Sequence, residues 1–549
     1  MALRASKLKL GRVRRAQSPF AEATSLEVTG LMQDASTSQD LGAPTSTALT
    51  VVALGASAGG LDALKSFFAH VRPDPGVAYV VVTHLPAAHE SYLDELLGRV
   101  APLPVTQAQI GQPLQGGHVY VSVPGVRLGI SGGRFTRDAV PERADTPVPT
   151  LIDHFMADLA EDAGENSVGI VLSGTAHDGT AGLKAIRAAG GLTLVQSPQT
   201  AQFPGMPGSA IAAGMADQVL AACDMPAALA DYIRCAPQDH APHRDGTGTA
   251  PPPAAEPGER AAEPAAEPAD ASLLTVLNLV QARTGHDFRW YRPAMLRRRL
   301  RRRMGLCRVG RLPDYIELLK GSGGEADRLK DEFLIGVTDF FRDPAAWAEL
   351  EQRVIPELVA QRLQDDGPIR VWTAGCATGE ESYSIAMLLL EQTEGKIDPH
   401  RIQVFATDID RQALAVARTG AYPAAIASTV PAQRLARFFD RQNGSYVARK
   451  AMRDIIVFAP QDLVRDTPFS RLDLVLCRNL LIYFKPELQQ HVLELFHFAL
   501  KPGGLLLLGK AESIGAQTEL FAPASKAVRL YRRIGTRAHL PRGIGRFAR

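Results

Sequence analysis

Cysteine is scarce and scattered in this chain of 549 residues: Cys223, Cys235, Cys307, Cys376 and Cys477, with no CxxC pair among them. That argues against a disulfide framework or a thiolate zinc site, so no metal is expected, and it fits a reducing compartment. Long apolar runs are missing too. None approaches the roughly 18–20 residues a membrane-spanning helix needs. The basic N-terminus (Arg4, Lys7, Lys9, Arg12, Arg14, Arg15) lacks the apolar segment of a secretion signal. Charge of one sign is not in excess: the formal net charge is +2, which gives no compositional argument for nucleic acid or a membrane surface. These absences together predict a cytoplasmic protein.

What is present is ordinary globular material, 46% hydrophobic and 21% charged. A single core rarely grows past about 250–300 residues, so two or more domains are expected. Residues 1–48 are polar and aperiodic and read as a disordered tail. From TALTVVALGAS to Cys235, apolar runs (VAYVVVTH, SVGIVLSG, GLTLVQS) alternate with helical stretches (LDALKSFFAHV, TLIDHFMADLAEDA, AGLKAIRAAG). That alternation predicts a doubly wound α/β domain over 49–235 with a mostly parallel sheet. Residues 236–271 are dominated by Pro, Ala, Glu and Gly and read as an extended linker. A helical, arginine-rich stretch follows over 272–335. A second α/β domain is expected over 336–535, and a basic tail over 536–549.

In the first domain, VVALGASAGGLDALKSFF places Gly55-x-Ser57-x-Gly59 between a strand and an amphipathic helix. Small residues there allow a sharp turn that presents a hydroxyl, and the helix N-terminus offers amides to an oxyanion. Alone the motif is weak, because any tight strand–helix turn can look the same. A serine nucleophile needs a base. His84 follows the next apolar strand, and Asp178 sits in the turn SGTAHDGTAGL after another. Strand C-termini of a parallel sheet share one edge, so Ser57, His84 and Asp178 can converge. His177 competes with His84 for the base position.

These stretches, with THLP, the hairpin-like GGHVYVSVPG, PTLIDHFMADLA and FPGMPGSAI, resemble in order the catalytic domain of chemotaxis receptor methylesterases, the CheB family. The resemblance implies that Ser57 is the nucleophile, His84 the general base and Asp178 the residue that orients His84. The implied reaction is hydrolysis of glutamyl methyl esters, with deamidation of receptor glutamines as a related activity. Thr175 stands where the family usually has Met. Residues 1–48 are too few for the receiver domain that family members commonly carry, so gating by its phosphorylation is not expected in this chain.

In the second domain, IRVWTAGCATGEE reads as a strand, a turn with Gly375 and Gly379, and a helix from about Glu380. The next strand, IQVFATDID, ends at Asp408, which suits the ribose hydroxyls of a nucleoside cofactor. A helix N-cap at Asp408 or Asp410 explains the same residues equally well. The turn is not GxGxxG, which disfavours a dehydrogenase, and no P-loop lysine is present. GVTDFFRDP, VWTAGCATGEESYSIA, FATDID, QDLVRDTPFSRLDLVLCRNLLIYF and LKPGGLLLLGKAES resemble chemotaxis receptor methyltransferases, the CheR family. The resemblance implies S-adenosylmethionine as cofactor and a Rossmann-like fold with a small antiparallel β insertion over about 420–456. It implies cofactor contacts from Thr338, Arg342, Glu381, Asp408, Asp462, Leu463, Cys477 and Arg478, with Arg342 and Tyr483 facing the methyl acceptor. Gly336 and Asp462 stand where the family usually has Asn.

The stretch WYRPAMLRRRLRRRMGLCRVG has an apolar stripe at helical spacing (Met295 or Leu296, Leu300, Met304) and carries Arg297, Arg298, Arg299, Arg301, Arg302, Arg303 and Arg308. The stripe predicts packing on the transferase domain. The arginines read as a solvated face, as a nucleic-acid surface or, from the resemblance, as a dock for the acidic methylation helices of a receptor. The combined reading is a bifunctional adaptation enzyme whose partners are receptor methylation helices and other chemotaxis signalling proteins, not nucleic acid and not a membrane. A methyltransferase acting on RNA or on a non-receptor protein, with an inactive or regulatory esterase domain, is the alternative.

Overall fold

A computed structural model describes residues 49–84, 92–137, 151–235, 268–442 and 444–535. The expected tail over 1–48, most of the expected linker and the expected basic tail over 536–549 lie outside the described residues. A helix begins at Pro268, inside the stretch read as linker.

The first domain is built on nine strands: β1 (Thr50–Ala56), β2 (Val77–Thr83), β3 (Val105–Gln107), β4 (Val119–Val121), β5 (Leu128–Ser131), β6 (Arg134–Arg137), β7 (Ser167–Val171), β8 (Leu192–Gln196) and β9 (Gln218–Leu220). Seven of them form one sheet in the order β3-β4-β2-β1-β7-β8-β9. Every pairing in it is parallel. All seven residues of β1 are buried. A parallel sheet is covered on both faces, which is why β1 is a continuous apolar run rather than an alternating one. Val52, Leu54 and Ala56 pack to one side, and Val51 and Ala53 to the other. Each fully buried Val or Leu side chain contributes about 1.5–3 kcal/mol. GGHVYVSVPG is not a hairpin. Its centre is β4, parallel to β2 and β3, and the hairpin is the next pair, β5–β6.

The second half opens with helices over Pro268–Thr284, Pro293–Leu306, Leu312–Gly321 and Gly323–Phe333 around their own core. Its main sheet uses β10 (Ile369–Ala374), β11 (Ile402–Asp408), β15 (Ile456–Pro460), β16 (Leu472–Cys477), β17 (Leu500–Leu508), β18 (Phe521–Ser525) and β19 (Leu530–Arg533). The order is β15-β11-β10-β16-β17-β19-β18. β19 runs antiparallel to both its neighbours, as a mostly parallel sheet with an antiparallel edge requires. β12 (Ala421–Pro423), β13 (Phe439–Gln442) and β14 (Ser445–Ala448) form the separate antiparallel insertion, ordered β12-β14-β13. No helix of the described residues is long and apolar enough to cross a membrane.

The helix Pro293–Leu306 corrects one expectation. Its apolar stripe is buried as read: Met295, Leu296, Leu300 and Met304 join the helical core. Its arginines do not form a solvated face. Arg299 and Arg302 are each 2% exposed, and of the arginines from Arg297 to Arg308 only Arg308 is exposed.

Candidate active sites

In each main sheet the chain leaves the central pair of strands in opposite directions, β1 beside β7 and β10 beside β16. A crevice opens at the carboxyl end of such a switch point. Both candidate sites lie there.

Ser57 follows β1, His84 follows β2, and Asp178 follows β7. The structure brings the three together. His84 Nδ1 lies 3.3 Å from Ser57 Oγ, and its Nε2 lies 2.6 Å from Asp178 Oδ2. With the proton on Nε2, the ring donates to Asp178 and accepts from the serine hydroxyl. Asp178 is 2% exposed and is held by backbone amides: Oδ1 accepts from Asp153 N (2.9 Å) and Gly179 N (2.8 Å), and Oδ2 from Ile152 N (3.1 Å). Those amides belong to the starts of the helices Leu151–Ala163 and Thr180–Ala189. Two helix N-termini therefore favour the ionised carboxylate. The hydrogen bond to Asp178 raises the His84 pKa above 6.5, against the effect of burial. His177 uses its carbonyl to accept from Thr180 N, at 3.3 Å; the ring placed between Ser57 and Asp178 is that of His84.

The turn around Ser57 is shaped by what surrounds it. Gly59 has φ +67°, and a Cβ there would come within 2.5–2.9 Å of Gln202 and the Phe203 ring. The amides of Ser57, Gly60 and Gly174 donate internally, to Ser173, Ser57 and Phe203 carbonyls. They are therefore not oxyanion donors. Beside Asp178, Ala176 holds a left-handed φ of 65°.

The second crevice is a cavity open to solvent. Of the residues singled out from sequence, Thr338, Arg342, Gly375, Glu381, Asp408, Asp462, Leu463, Arg478 and Tyr483 line it. Gly379 and Cys477 do not. Cys477 is fully buried in β16, paired with Leu508 of β17. Gly379 sits at the start of the helix Glu380–Thr393, where a Cβ would come within 2.9 Å of Ala417 and 3.2 Å of the Tyr422 hydroxyl. Its smallness serves helix packing, not cofactor approach.

The two candidate caps divide the work. Asp410 caps the helix Arg411–Thr419, accepting from Gln412 and Ala413 amides. Asp408 Oδ2 accepts from Ala377 N (2.8 Å), and Oδ1 from Asp410 N (2.9 Å), which fixes its carboxylate at the cavity wall. Burial raises its pKa. Arg478 reaches Glu381 and Asp343, both at 2.5 Å. Phe341 (φ 50°), Asp343 (φ 59°), Ala377 (φ 46°) and Asn479 (φ 58°) are all left-handed, so Arg342 is flanked by two strained residues, and Ala377 and Asn479 line the cavity themselves. Strain of this kind persists where surrounding structure enforces it, often at ligand sites.

Three cavity-lining polar atoms, Thr338 Oγ1, Gln461 Oε1 and Asn479 Oδ1, are buried with no hydrogen-bond partner among the described residues. Unpaired buried groups of this kind call for a ligand. Gln461, Asn479 and Glu512 were not singled out from sequence. Glu512 accepts from Gly509 N (2.7 Å), Asn479 N (3.0 Å) and Ile482 N (3.3 Å), so it shapes the loop between Arg478 and Tyr483. The LKPGGLLLLGKAES motif contained it, but nothing in its spacing marked it.

Three family models match the chain: CheB methylesterase over 52–229, the CheR methyltransferase all-alpha domain over 271–334, and the CheR methyltransferase SAM-binding domain over 336–529. An uncharacterized 104.1 kDa protein of Rhodobacter capsulatus is 38% identical over 79% of this chain and 46% of its own length, so the chain spans less than half of that relative. A putative methyltransferase, Cher3, of Pseudomonas putida is 32% identical over 48% of this chain and 97% of its own. The chemotaxis protein methyltransferase of Escherichia coli is 33% identical over 47% and 90%. The Thermotoga maritima CheB methylesterase catalytic domain is 29% identical, with a TM-score of 0.30 over 33% of this chain and 98% of that one.

Proposed function

The chain belongs to the CheR methyltransferase family and carries a CheB methylesterase domain ahead of that half, and from this we propose that it both removes and installs methyl esters on receptor glutamates. The observation that carries the reading is the presence of two separate strand-edge sites on one chain. One is a hydroxyl–imidazole–carboxylate series at 3.3 and 2.6 Å. The other is a cavity lined by Asp408, Glu381, Arg342 and three unpaired polar atoms.

At the first site, Ser57 Oγ attacks the ester carbonyl while His84 Nδ1 takes its proton. Asp178 keeps the Nε2 proton in place and stabilises the imidazolium. The oxyanion needs an amide donor, a role that suits Ala58 N, directly after the nucleophile, which donates to no backbone carbonyl among the described residues. His84 returns the proton to the departing methoxide, which leaves as methanol. Water then attacks the acyl-enzyme, with His84 again as base, and free glutamate is released. The same attack on an amide carbonyl would deamidate glutamine.

At the second site, S-adenosylmethionine, when bound, supplies an electrophilic sulfonium methyl. Asp408 suits its ribose hydroxyls, Leu463 an apolar face, and Glu381 with Arg342 the opposite charges of its amino-acid end. A glutamate acceptor, with a reference pKa of about 4.3, is already ionised at neutral pH and needs no base. Arg342 and Tyr483 hold that carboxylate in line, so rate comes from positioning and exclusion of water. RNA as the acceptor is disfavoured, because the arginine helix that would bind it is mostly engaged within the chain.

The test uses receptor membranes and tritiated cofactor. Ser57→Ala should abolish methanol release and leave methyl incorporation intact, and Arg342→Ala should do the reverse. Loss of both activities with either change would end the two-site reading.

A further inference from the structure

Of the unpaired polar atoms on the cofactor cavity, one has its direction fixed by the protein. Gln461 follows β15 directly and is 9% exposed. Its Nε2 donates to the Thr467 carbonyl at 3.0 Å. Turning the amide over would set Oε1 against that carbonyl, so nitrogen belongs on the Thr467 side and oxygen on the other. That oxygen is buried and has no hydrogen-bond partner among the described residues. The residue lines the cavity. A buried acceptor left in this state calls for a donor from outside the chain.

Strand order indicates which part of the cofactor reaches it. The strands run β15-β11-β10-β16. S-adenosylmethionine is linear, with amino-acid end, sulfonium, ribose and adenine in that sequence. Asp408, at the end of β11, suits the ribose. Glu381 lies on the helix that follows β10, and Arg478, its ion-pair partner, follows β16. The charged wall that suits the amino-acid end is thus on the β10–β16 side. The base is left to the other side of β11, at the end of β15. Gln461 N donates to the Asp408 carbonyl at 3.0 Å, which extends the β11–β15 pairing and ties the two positions together. Ile409 follows Asp408, Leu463 and Val464 follow Gln461, and all three line the cavity. Apolar walls suit the faces of a purine, while its edge needs a few placed polar groups. On that edge the exocyclic amine is the donor of adenine, and the ring nitrogens accept.

We infer that Gln461 Oε1 accepts a hydrogen bond from the exocyclic amine of the cofactor's adenine and so selects adenine over purines that carry an oxygen there. This rests on S-adenosylmethionine as the cofactor of the cavity. Asp462 is the neighbouring acceptor, but its carboxylate is already engaged. Oδ1 takes the Val464 amide at 2.8 Å, and Oδ2 lies 3.9 Å from Arg465. A site built to pair with an N–H group also discriminates against the analogue that lacks it, because its own buried acceptor is then left unpaired.

The test is titration calorimetry of the full chain with S-adenosylhomocysteine and with S-inosylhomocysteine, which has a carbonyl oxygen in place of the amine. Wild type should bind the inosine analogue at least about tenfold more weakly, the equivalent of about 1.4 kcal/mol. Gln461→Met keeps the length of the side chain and offers only a weak acceptor. It should weaken S-adenosylhomocysteine about tenfold and alter the inosine analogue by less than about threefold, so that the preference collapses. Gln461→Leu, a second shape without an acceptor, should behave alike. A purely structural role would weaken both ligands equally and keep the preference, and that result overturns the assignment. So does a wild type that binds the two ligands equally well, a comparison that needs no variant. Those results leave the cofactor reading standing. A wild type that binds no S-adenosylhomocysteine at all would remove that reading, and the role of Gln461 with it.

Discussion

His84 Nε2 and Asp178 Oδ2 stand 2.6 Å apart, with the carboxylate fixed by three backbone amides and the imidazole aimed at Ser57. Hydrogen bonding to Asp178 raises the folded His84 pKa above the ordinary 6.5. The stabilisation from this pair is therefore present below the unfolded value and is lost as pH rises through the folded one. Catalysis runs the other way, because only neutral His84 can accept the serine proton. Methanol release should climb through the raised pKa, with its acid limb above pH 6.5. Asp178→Asn should move that limb down and cut the rate by up to about 10⁴-fold, from loss of the correct tautomer. A pH–rate profile of methanol release decides it; an unshifted limb in the variant would show that Asp178 does not set the His84 proton.

Asp408 is expected to bind the cofactor in its ionised form, yet burial raises its pKa. Cofactor affinity should fall as pH drops through that raised value. Asp408→Asn should weaken binding roughly 10- to 100-fold, the loss expected for about 1.5–3 kcal/mol of charge-assisted hydrogen bonding, and should flatten the pH dependence. Titration calorimetry across acidic to neutral pH provides the measurement. Wild-type affinity that stays constant down to pH 4 would contradict the assignment.

Asp462 replaces the family's usual Asn with a carboxyl whose pKa is raised, chiefly by burial. A raised carboxyl pKa means that ionisation opposes folding. The penalty is absent below the ordinary value of 3.8 and grows as pH rises through the interval to the folded value. Asp462→Asn keeps an acceptor for the Val464 amide and removes the charge. Its Tm should exceed wild type at neutral pH, by about 2–4 °C for each kcal/mol recovered, and should match it in strong acid. A calorimetric scan at both pH values showing no difference would mean that Asp462 is well solvated.

Strand ends are legible because each functional residue closes a mostly apolar strand: Ser57 after β1, His84 after β2, Asp408 at the end of β11. Choices within those ends are not. Sequence spacing allows His84 or His177 as base, and Asp408 or Asp410 as cap; in the structure the His84 ring lies between Ser57 and Asp178, and Asp410 accepts the first amides of its helix. The arginine helix was misread for a different reason. Helical periodicity shows which residues avoid the helix's own core but not what covers the other side. Here the cover is a carbonyl cluster over 187–191 and Asp217, from a domain more than 80 positions away in sequence. Gly379 and Gly375 looked equivalent in one turn, yet only Gly375 lines the cavity.

Glu512 gave no signal in the sequence, and its contacts imply a large effect. It is 4% exposed, and its two oxygens accept three amides, from Asn479, Ile482 and Gly509. Those amides set the loop that carries Arg478 on one side and Tyr483 on the other. Glu512→Ala leaves buried donors unpaired, at about 1–3 kcal/mol each where water does not replace the carboxylate. Glu512→Gln keeps one accepting oxygen but can turn an NH2 group toward an amide donor. Both variants should lower methyl transfer by raising the acceptor KM more than they lower kcat, because the loop orients rather than reacts. Methanol release should be unaffected, because Ser57 lies in the other domain. Initial rates measured well below both melting temperatures separate misplacement from unfolding. Wild-type KM in the Ala variant would show that Tyr483 and Arg478 are positioned by something other than this carboxylate.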